Sequence, residues 1–162
     1  MAEPRRSAVA IDDAAGARLL VVEARYYEEV SEALWQGAKA ALDQARVIYE
    51  RVEVPGALEI PQAIVIAVDA AALKGRPYEG IVALGCVIRG ETSHYDIVAN
   101  ESAHGLMDIA VHNALPIGNG ILTVDTQAQA LARAGGDKLD KGGDAVRAAL
   151  SLIAIRRRLT KR

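Results

Sequence analysis

Phenylalanine is absent from the 162 residues, and the chain holds one cysteine, one tryptophan and no excess of basic charge. A lone Cys86 excludes an intrachain disulfide and any metal site built from several thiolates. A formal net charge of -2 supplies no global basic field of the kind that binds nucleic acid. No apolar run approaches the ~20 residues of a membrane span. The segment from Met1 to Asp13 carries Arg5 and Arg6 but lacks the apolar stretch of a secretory signal. It reads as a loose polar arm, and a cytoplasmic protein is the default. Neither a Walker loop nor a GxGxxG after a strand is present, which disfavours a nucleotide-dependent enzyme.

What is present is small and aliphatic. Hydrophobic residues make up 51% and charged residues 25%, a soluble globular balance. Without phenylalanine the core must be built from Ala, Val, Leu and Ile. Alanine-rich helices let backbones approach closely, which suits a compact layered fold or tight helix packing between subunits. No linker, repeat or low-complexity tract divides the chain, so residues 1–162 read as a single domain.

Strand and helix patterns alternate. Arg18 to Ala24, with the run LLVV, reads as a buried strand. Tyr27 to Ala45 follows as a helix with Val30, Leu34, Ala38, Ala41 and Ala45 on one face. Arg46 to Val54 is a second strand, stopped by Pro55-Gly56, and Ile60 to Leu73 a second helix that tolerates Pro61 in its first turn. Gly80 to Ile88 is the clearest buried strand, and a polar turn from Arg89 to His94 leads into a helix over Tyr95 to Ala114. Ile117 to Val124 reads as a fourth strand broken by Gly118 and Gly120. A short helix from Thr126 to Ala134 should stop at Gly135-Gly136 with a left-handed glycine, and a last helix, with Val146, Ala149 and Ile153 on one face, spans Gly143 to Leu159. The alternation predicts a three-layer α/β/α domain around a four-stranded, mostly parallel sheet. Ligands in such folds bind beyond the carboxyl ends of the strands.

The residues just past those ends carry the candidate chemistry. Arg89-Gly90-Glu91-Thr92-Ser93-His94 lies between a buried strand and a helix N-terminus, where unpaired amides favour an anion. His94 can exchange a proton near neutral pH, so the turn suits a phosphate site beside a general acid/base, or merely a helix cap with an exposed histidine. Arg133 could clamp a phosphate or simply serve a helix C-terminus. Lys141, in the loop from Asp137 to Gly143, has the same two readings. Tyr26 could stack on a planar ring or cover the sheet edge. Glu59 could cap its helix or bind sugar hydroxyls, and Asn119 could satisfy backbone groups. His104 and His112, eight residues apart, do not have the spacing of a helical metal pair and read as structural, so no metal site is expected. Cys86 reads as a small buried hydrophobe.

Five blocks in order, VPGALEIP (Val54 to Pro61), ALGCVIRGETSHYD (Ala83 to Asp96), NGILT (Asn119 to Thr123), ARAGG (Ala132 to Gly136) and DKG (Asp140 to Gly142), resemble the successive signatures of the lumazine synthase family. The resemblance runs from about Arg18 to the C-terminus. It implies a flavodoxin-like fold and a cofactor-free transferase. The reaction would join 5-amino-6-(D-ribitylamino)uracil to 3,4-dihydroxy-2-butanone 4-phosphate, giving 6,7-dimethyl-8-ribityllumazine in the penultimate step of riboflavin biosynthesis. By position, His94 matches the catalytic proton carrier and Tyr26 the aromatic that stacks on the pyrimidine. Ala57, Leu58 and Glu59 match the stretch that holds the ribityl chain, and Cys86, Val87 and Ile88 the lining of the uracil pocket. Glu91 and Thr92 match the phosphate turn, and Arg133 its arginine. Asn119 matches a contact offered by a neighbouring subunit, and Lys141 a basic residue near the substrate.

Three departures stand out: Tyr26 where Phe or Trp is more usual, Asn119 where many members carry Phe, and Glu91 beside the phosphate site, whose side chain is expected to point away. The family also implies a homopentamer or a 60-subunit icosahedral shell, and riboflavin synthase as a candidate partner. The compact loop from Gly135 to Gly142 leans toward shell competence. Rival readings are an idle member kept for binding or assembly, and a flavodoxin-like signalling domain. The second lacks the acidic strand-end cluster that a receiver domain needs.

Overall fold

The computed structural model describes residues 11–135 and 139–161. Most of the expected N-terminal arm therefore lies outside the described residues, and its last part is not loose, since Ile11–Ala14 forms a 3-10 turn. From there the chain runs β1 (Arg18–Ala24), α1 (Glu28–Gln44), β2 (Ile48–Val54), α2 (Glu59–Leu73), β3 (Gly80–Ile88), α3 (His94–His112), β4 (Ile117–Val124), α4 (Gln127–Ala134) and α5 (Lys141–Thr160). Every strand pair is parallel, and the sheet order is β2-β1-β3-β4.

The central strands are aliphatic on both faces because both faces are covered. Leu19, Val21, Val82 and Leu84 point into one core layer with Trp35, Leu42, Val146, Leu150 and Ile153 of α1 and α5. Their sequence neighbours Leu20, Val22, Ile81 and Ala83 point the other way, against Ile60, Ile64 and Leu106 of α2 and α3. This period of two is what a strand imposes on its side chains. Each large aliphatic side chain so buried stabilises the fold by about 1.5–3 kcal/mol. The stripes expected on α1 and α5 are the buried ones. By contrast, α3 buries only Ser102 and Leu106 among its 19 residues.

Three local expectations are corrected. Gly118 and Gly120 do not break β4, which is continuous. A Cβ at Gly118 would come within 1.8 Å of the Ala145 carbonyl oxygen, so glycine there lets α5 lie directly on the strand. Gly135 is extended (φ -165°) rather than left-handed, and Gly136 lies outside the described residues. A left-handed glycine stop does occur, but after α2 at Gly75 (φ 65°). Finally, Lys141 is not in a loop. It is the first residue of α5, whose start is capped by Asp140 accepting from the Gly143 amide at 2.9 Å.

Candidate active site

The crossover from β1 to β2 goes to one side and that from β2 to β3 to the other, so the chain direction switches between β1 and β3. A parallel sheet necessarily leaves a crevice at such a point, past the carboxyl ends of the strands. Here it is a cavity of ≈350 Å³. Four segments distant in sequence wall it: Tyr26 and Tyr27 after β1, Gly56 to Glu59 at the entry to α2, Cys86 to Ile88 at the end of β3, and Gly90, Thr92, His94, Tyr95 and Val98 at the entry to α3.

Each wall has a local cause. Tyr26, 72% exposed, projects at the mouth and packs edge-on against Tyr27, with ring centroids 5.0 Å apart. Burial pushes the Tyr27 phenol above its usual range. The floor is Cys86 and Val87, both buried, and burial alone pushes the Cys86 thiol up to about 11. Glu59, the first residue of α2, turns an exposed carboxylate to the cavity rim.

The entry to α3 is the polar wall. Its N-cap residue, Ser93, makes no side-chain capping bond, and the His94 amide reaches only the Thr92 hydroxyl, at 3.4 Å. The Asp96 amide already donates to the Ser93 carbonyl at 3.0 Å, whereas the weakly engaged His94 amide can turn to an anion. Space around Gly90 is open, with no atom within 4 Å of a built Cβ. Glu91 is exposed and does not line the cavity, as expected for a side chain directed away from an anion. Arg89, one residue before the turn, stacks on the Tyr95 ring at 4.1 Å and pairs with Asp125 at 3.0 Å and Asp96 at 3.6 Å.

Of the residues singled out from sequence, Tyr26, Ala57, Leu58, Glu59, Cys86, Val87, Ile88, Thr92 and His94 meet in this one cavity. Asn119, Arg133 and Lys141 do not. Asn119 faces a second cavity of ≈320 Å³ between α3 and β4, and its Oδ1 accepts from the Ile121 amide at 2.9 Å. Arg133 is exposed and donates to the Gln129 carbonyl at 3.0 Å, while Lys141 lies 3.5 Å from Asp144. Sequence reasoning missed Tyr27, Tyr95 and Val98. The last two were available from helix periodicity, since 94, 95 and 98 share one helical face.

A layered α/β domain with an aromatic-mouthed cavity at its switch point, and a histidine-bearing turn beside it, has the layout of a small-molecule site on an α/β enzyme scaffold. The family model for 6,7-dimethyl-8-ribityllumazine synthase matches residues 16–157. Curated proteins of that name are similar over nearly the whole chain. The one from Methylocella silvestris is 61% identical over 98% of this chain and 97% of its own. Those from Afipia carboxidovorans and Rhodopseudomonas palustris (strain BisA53) are 57% and 54% identical, over 99% of both chains. The chain belongs to the 6,7-dimethyl-8-ribityllumazine synthase family.

Proposed function

We infer that this chain condenses 5-amino-6-(D-ribitylamino)uracil with 3,4-dihydroxy-2-butanone 4-phosphate to give 6,7-dimethyl-8-ribityllumazine, the penultimate step of riboflavin biosynthesis. The observation that carries the reading is the convergence of Tyr26, Ala57 to Glu59, Cys86 to Ile88, Thr92 and His94 on a single cavity. Tyr26 stacks on the pyrimidine, Ala57 to Glu59 hold the ribityl chain, and Cys86 to Ile88 form the uracil floor. The amine adds to the ketone and loses water to give an imine. Phosphate then leaves, and the ribitylamino nitrogen closes the ring with loss of a second water. Each step moves a proton, and His94, on the cavity rim, gives and accepts them. The Gly90 to Ser93 turn, with Glu91 contributing its amide and Thr92 its hydroxyl, cradles the departing phosphate. Holding both substrates in one cavity contributes much of the rate.

Asn119, Arg133 and Lys141 lie away from this cavity, so they reach substrate only when a second copy presents them. The site is then completed between subunits. Exposed apolar side chains on α2 and α3, including Ile66 (70%), Leu73 (90%), Ile97 (52%), Met107 (64%) and Val111 (69%), support such an assembly. It is a homopentamer, with a 60-subunit shell as its higher form, working in the cytoplasm as one domain without a cofactor. Riboflavin synthase, which consumes the product, is the candidate protein partner.

The test is to mix purified protein with both substrates and follow lumazine absorbance and fluorescence against a protein-free control. Acceleration that requires both substrates is expected. Binding of the uracil without turnover would overturn the reading and leave an idle binding member.

A further inference from the structure

We propose that Arg89 is a positioning residue, a staple that closes the phosphate turn and holds His94 in register with it. The inference rests on the proposed reaction for its catalytic consequence, and on geometry alone for the staple.

One residue ties both ends of a short loop, the near end by its backbone and the far end by its side chain. The Arg89 backbone is anchored to β4, its amide donating to the Val124 carbonyl at 2.9 Å. Its guanidinium then reaches across the turn to the Tyr95 ring (4.1 Å) and the Asp96 carboxylate (3.6 Å), the two residues that follow His94. Its Nε donates to Asp125 at 3.0 Å, at the start of the segment leading into α4. Residues 90–94, which contain the whole polar wall, are thus enclosed between contacts made by a single arginine. Arg89 itself does not line the cavity, and its contacts are with Tyr95, Asp96 and Asp125.

The turn has few other ties among the described residues. Gly90 has open space about it, and Ser93 adds no side-chain cap. The bonds within the turn are the His94 amide to the Thr92 hydroxyl at 3.4 Å and the Asp96 amide to the Ser93 carbonyl at 3.0 Å. A glycine-bearing loop at a helix start loses conformational freedom on ordering, and a contact between its ends removes much of that freedom in advance. Arginine suits the task because its planar fork can stack on one group while donating to others in fixed directions, which a lysine ammonium does less well. Tyr95 is the wall between the two cavities, lining both, so fixing its ring also fixes the side of the site against which substrate must lie. A small misplacement of a catalytic group costs far more in rate than in binding.

The test uses the full-length protein and the variants Arg89→Gln, Arg89→Lys, Asp125→Asn and the double variant. Hydrogen exchange of the peptide covering 89–96 reads the staple without reference to activity: Arg89→Gln should speed its amides severalfold while the β1 and β3 peptides stay protected. In steady-state kinetics kcat should fall on the order of tenfold, with KM for the uracil substrate nearly unchanged, and Arg89→Lys should recover part of the loss. Asp125→Asn should add little once Arg89 is replaced. Unchanged exchange across 89–96, or a kcat equal to that of the unaltered protein, would overturn the proposal. So would a loss of kcat with general loss of protection and no recovery in Arg89→Lys. If the unaltered protein shows no turnover while Arg89→Gln still loosens the turn, the reaction assignment has failed and the staple has not.

Discussion

Arg51 of β2 donates to the carboxylate of Glu23 in β1 and lies over the Trp35 ring, its guanidinium carbon 4.1 Å from the centroid. Glu23 is 1% exposed, near the end of a strand that is otherwise buried and aliphatic from Leu19 onward, and Arg25 also approaches it, to 3.6 Å. A carboxylate so placed is tolerated because its charge is matched nearby. Replacing Arg51 with methionine would keep apolar contact with Trp35 but leave the carboxylate with only the longer Arg25 pairing. The expected loss is roughly 2–4 kcal/mol, below the range for a wholly buried pair because Arg51 keeps some access to water. Denaturant unfolding at pH 7 measures it, and an unaltered midpoint would refute the account.

The same carboxylate should leave a pH signature. Burial outweighs the two arginines and raises the Glu23 pKa above its ordinary 4.5. The folded protein therefore holds this proton more tightly than the unfolded chain does. The associated stability is fully present below about 4.5 and is lost as pH rises through the raised folded value. Glu23→Gln cannot titrate, so the stability of the unaltered protein relative to it should decline across that window. A relative gain with rising pH would contradict the assignment.

His94→Ala should lower kcat on the order of a hundredfold, the usual scale for losing a general acid/base. Folding and assembly should be intact, because His94 is exposed and, among the described residues, its hydrogen bond to the Thr92 hydroxyl is made by the backbone amide and not by the ring. Turnover at the normal rate would remove His94 from its role.

Arg133→Ala should act on the sugar phosphate, raising its KM by about tenfold or more through loss of a charge-assisted contact. Among the described residues Arg133 bonds only to the Gln129 carbonyl within its own helix, so stability should change little. If the affinity that falls is for the uracil alone, the phosphate assignment is wrong.

Cys86 should resist alkylation in the native protein. With its thiol pushed up to about 11 by burial, only on the order of a thousandth is thiolate at pH 8, and the thiolate is the reactive form. Iodoacetamide at pH 8 should label it slowly when folded and rapidly in denaturant, as mass spectrometry would read. Equal rates in the two conditions would show that Cys86 is accessible.

Gly118→Ala should destabilise by about 1–3 kcal/mol or more, because the added methyl carbon would fall 1.8 Å from the Ala145 carbonyl oxygen. The measured quantity is the thermal midpoint. A neutral outcome would mean that α5 moves off β4 without cost.

The strands and helices were legible because their signals are local. Gly80–Ile88 and Ile117–Val124 are bounded where the hydrophobic pattern places them, and helix ends moved by only a residue or two. The motif blocks were legible for a related reason, since a turn that cradles a ligand needs particular residues at fixed short spacings. The glycines of β4 were misread because their cause is a helix that packs on them from 25 or more residues away. Glu23 attracted no notice as a buried charge because the arginine that chiefly matches it, Arg51, lies in another strand.

The sequence by itself therefore determined the alternation of strand and helix, the parallel α/β architecture, the family and the turn that carries His94. Periodicity and short motifs are properties of neighbouring residues. Only the tertiary structure decided that Tyr26, Glu59, Cys86 and His94 share one cavity while Asn119, Arg133 and Lys141 of the same chain stand apart from it. It alone brought Arg89 onto Tyr95 and Asp125. Those outcomes depend on strand order, on the direction each side chain takes from its element and on which surfaces meet, and no local spacing encodes them.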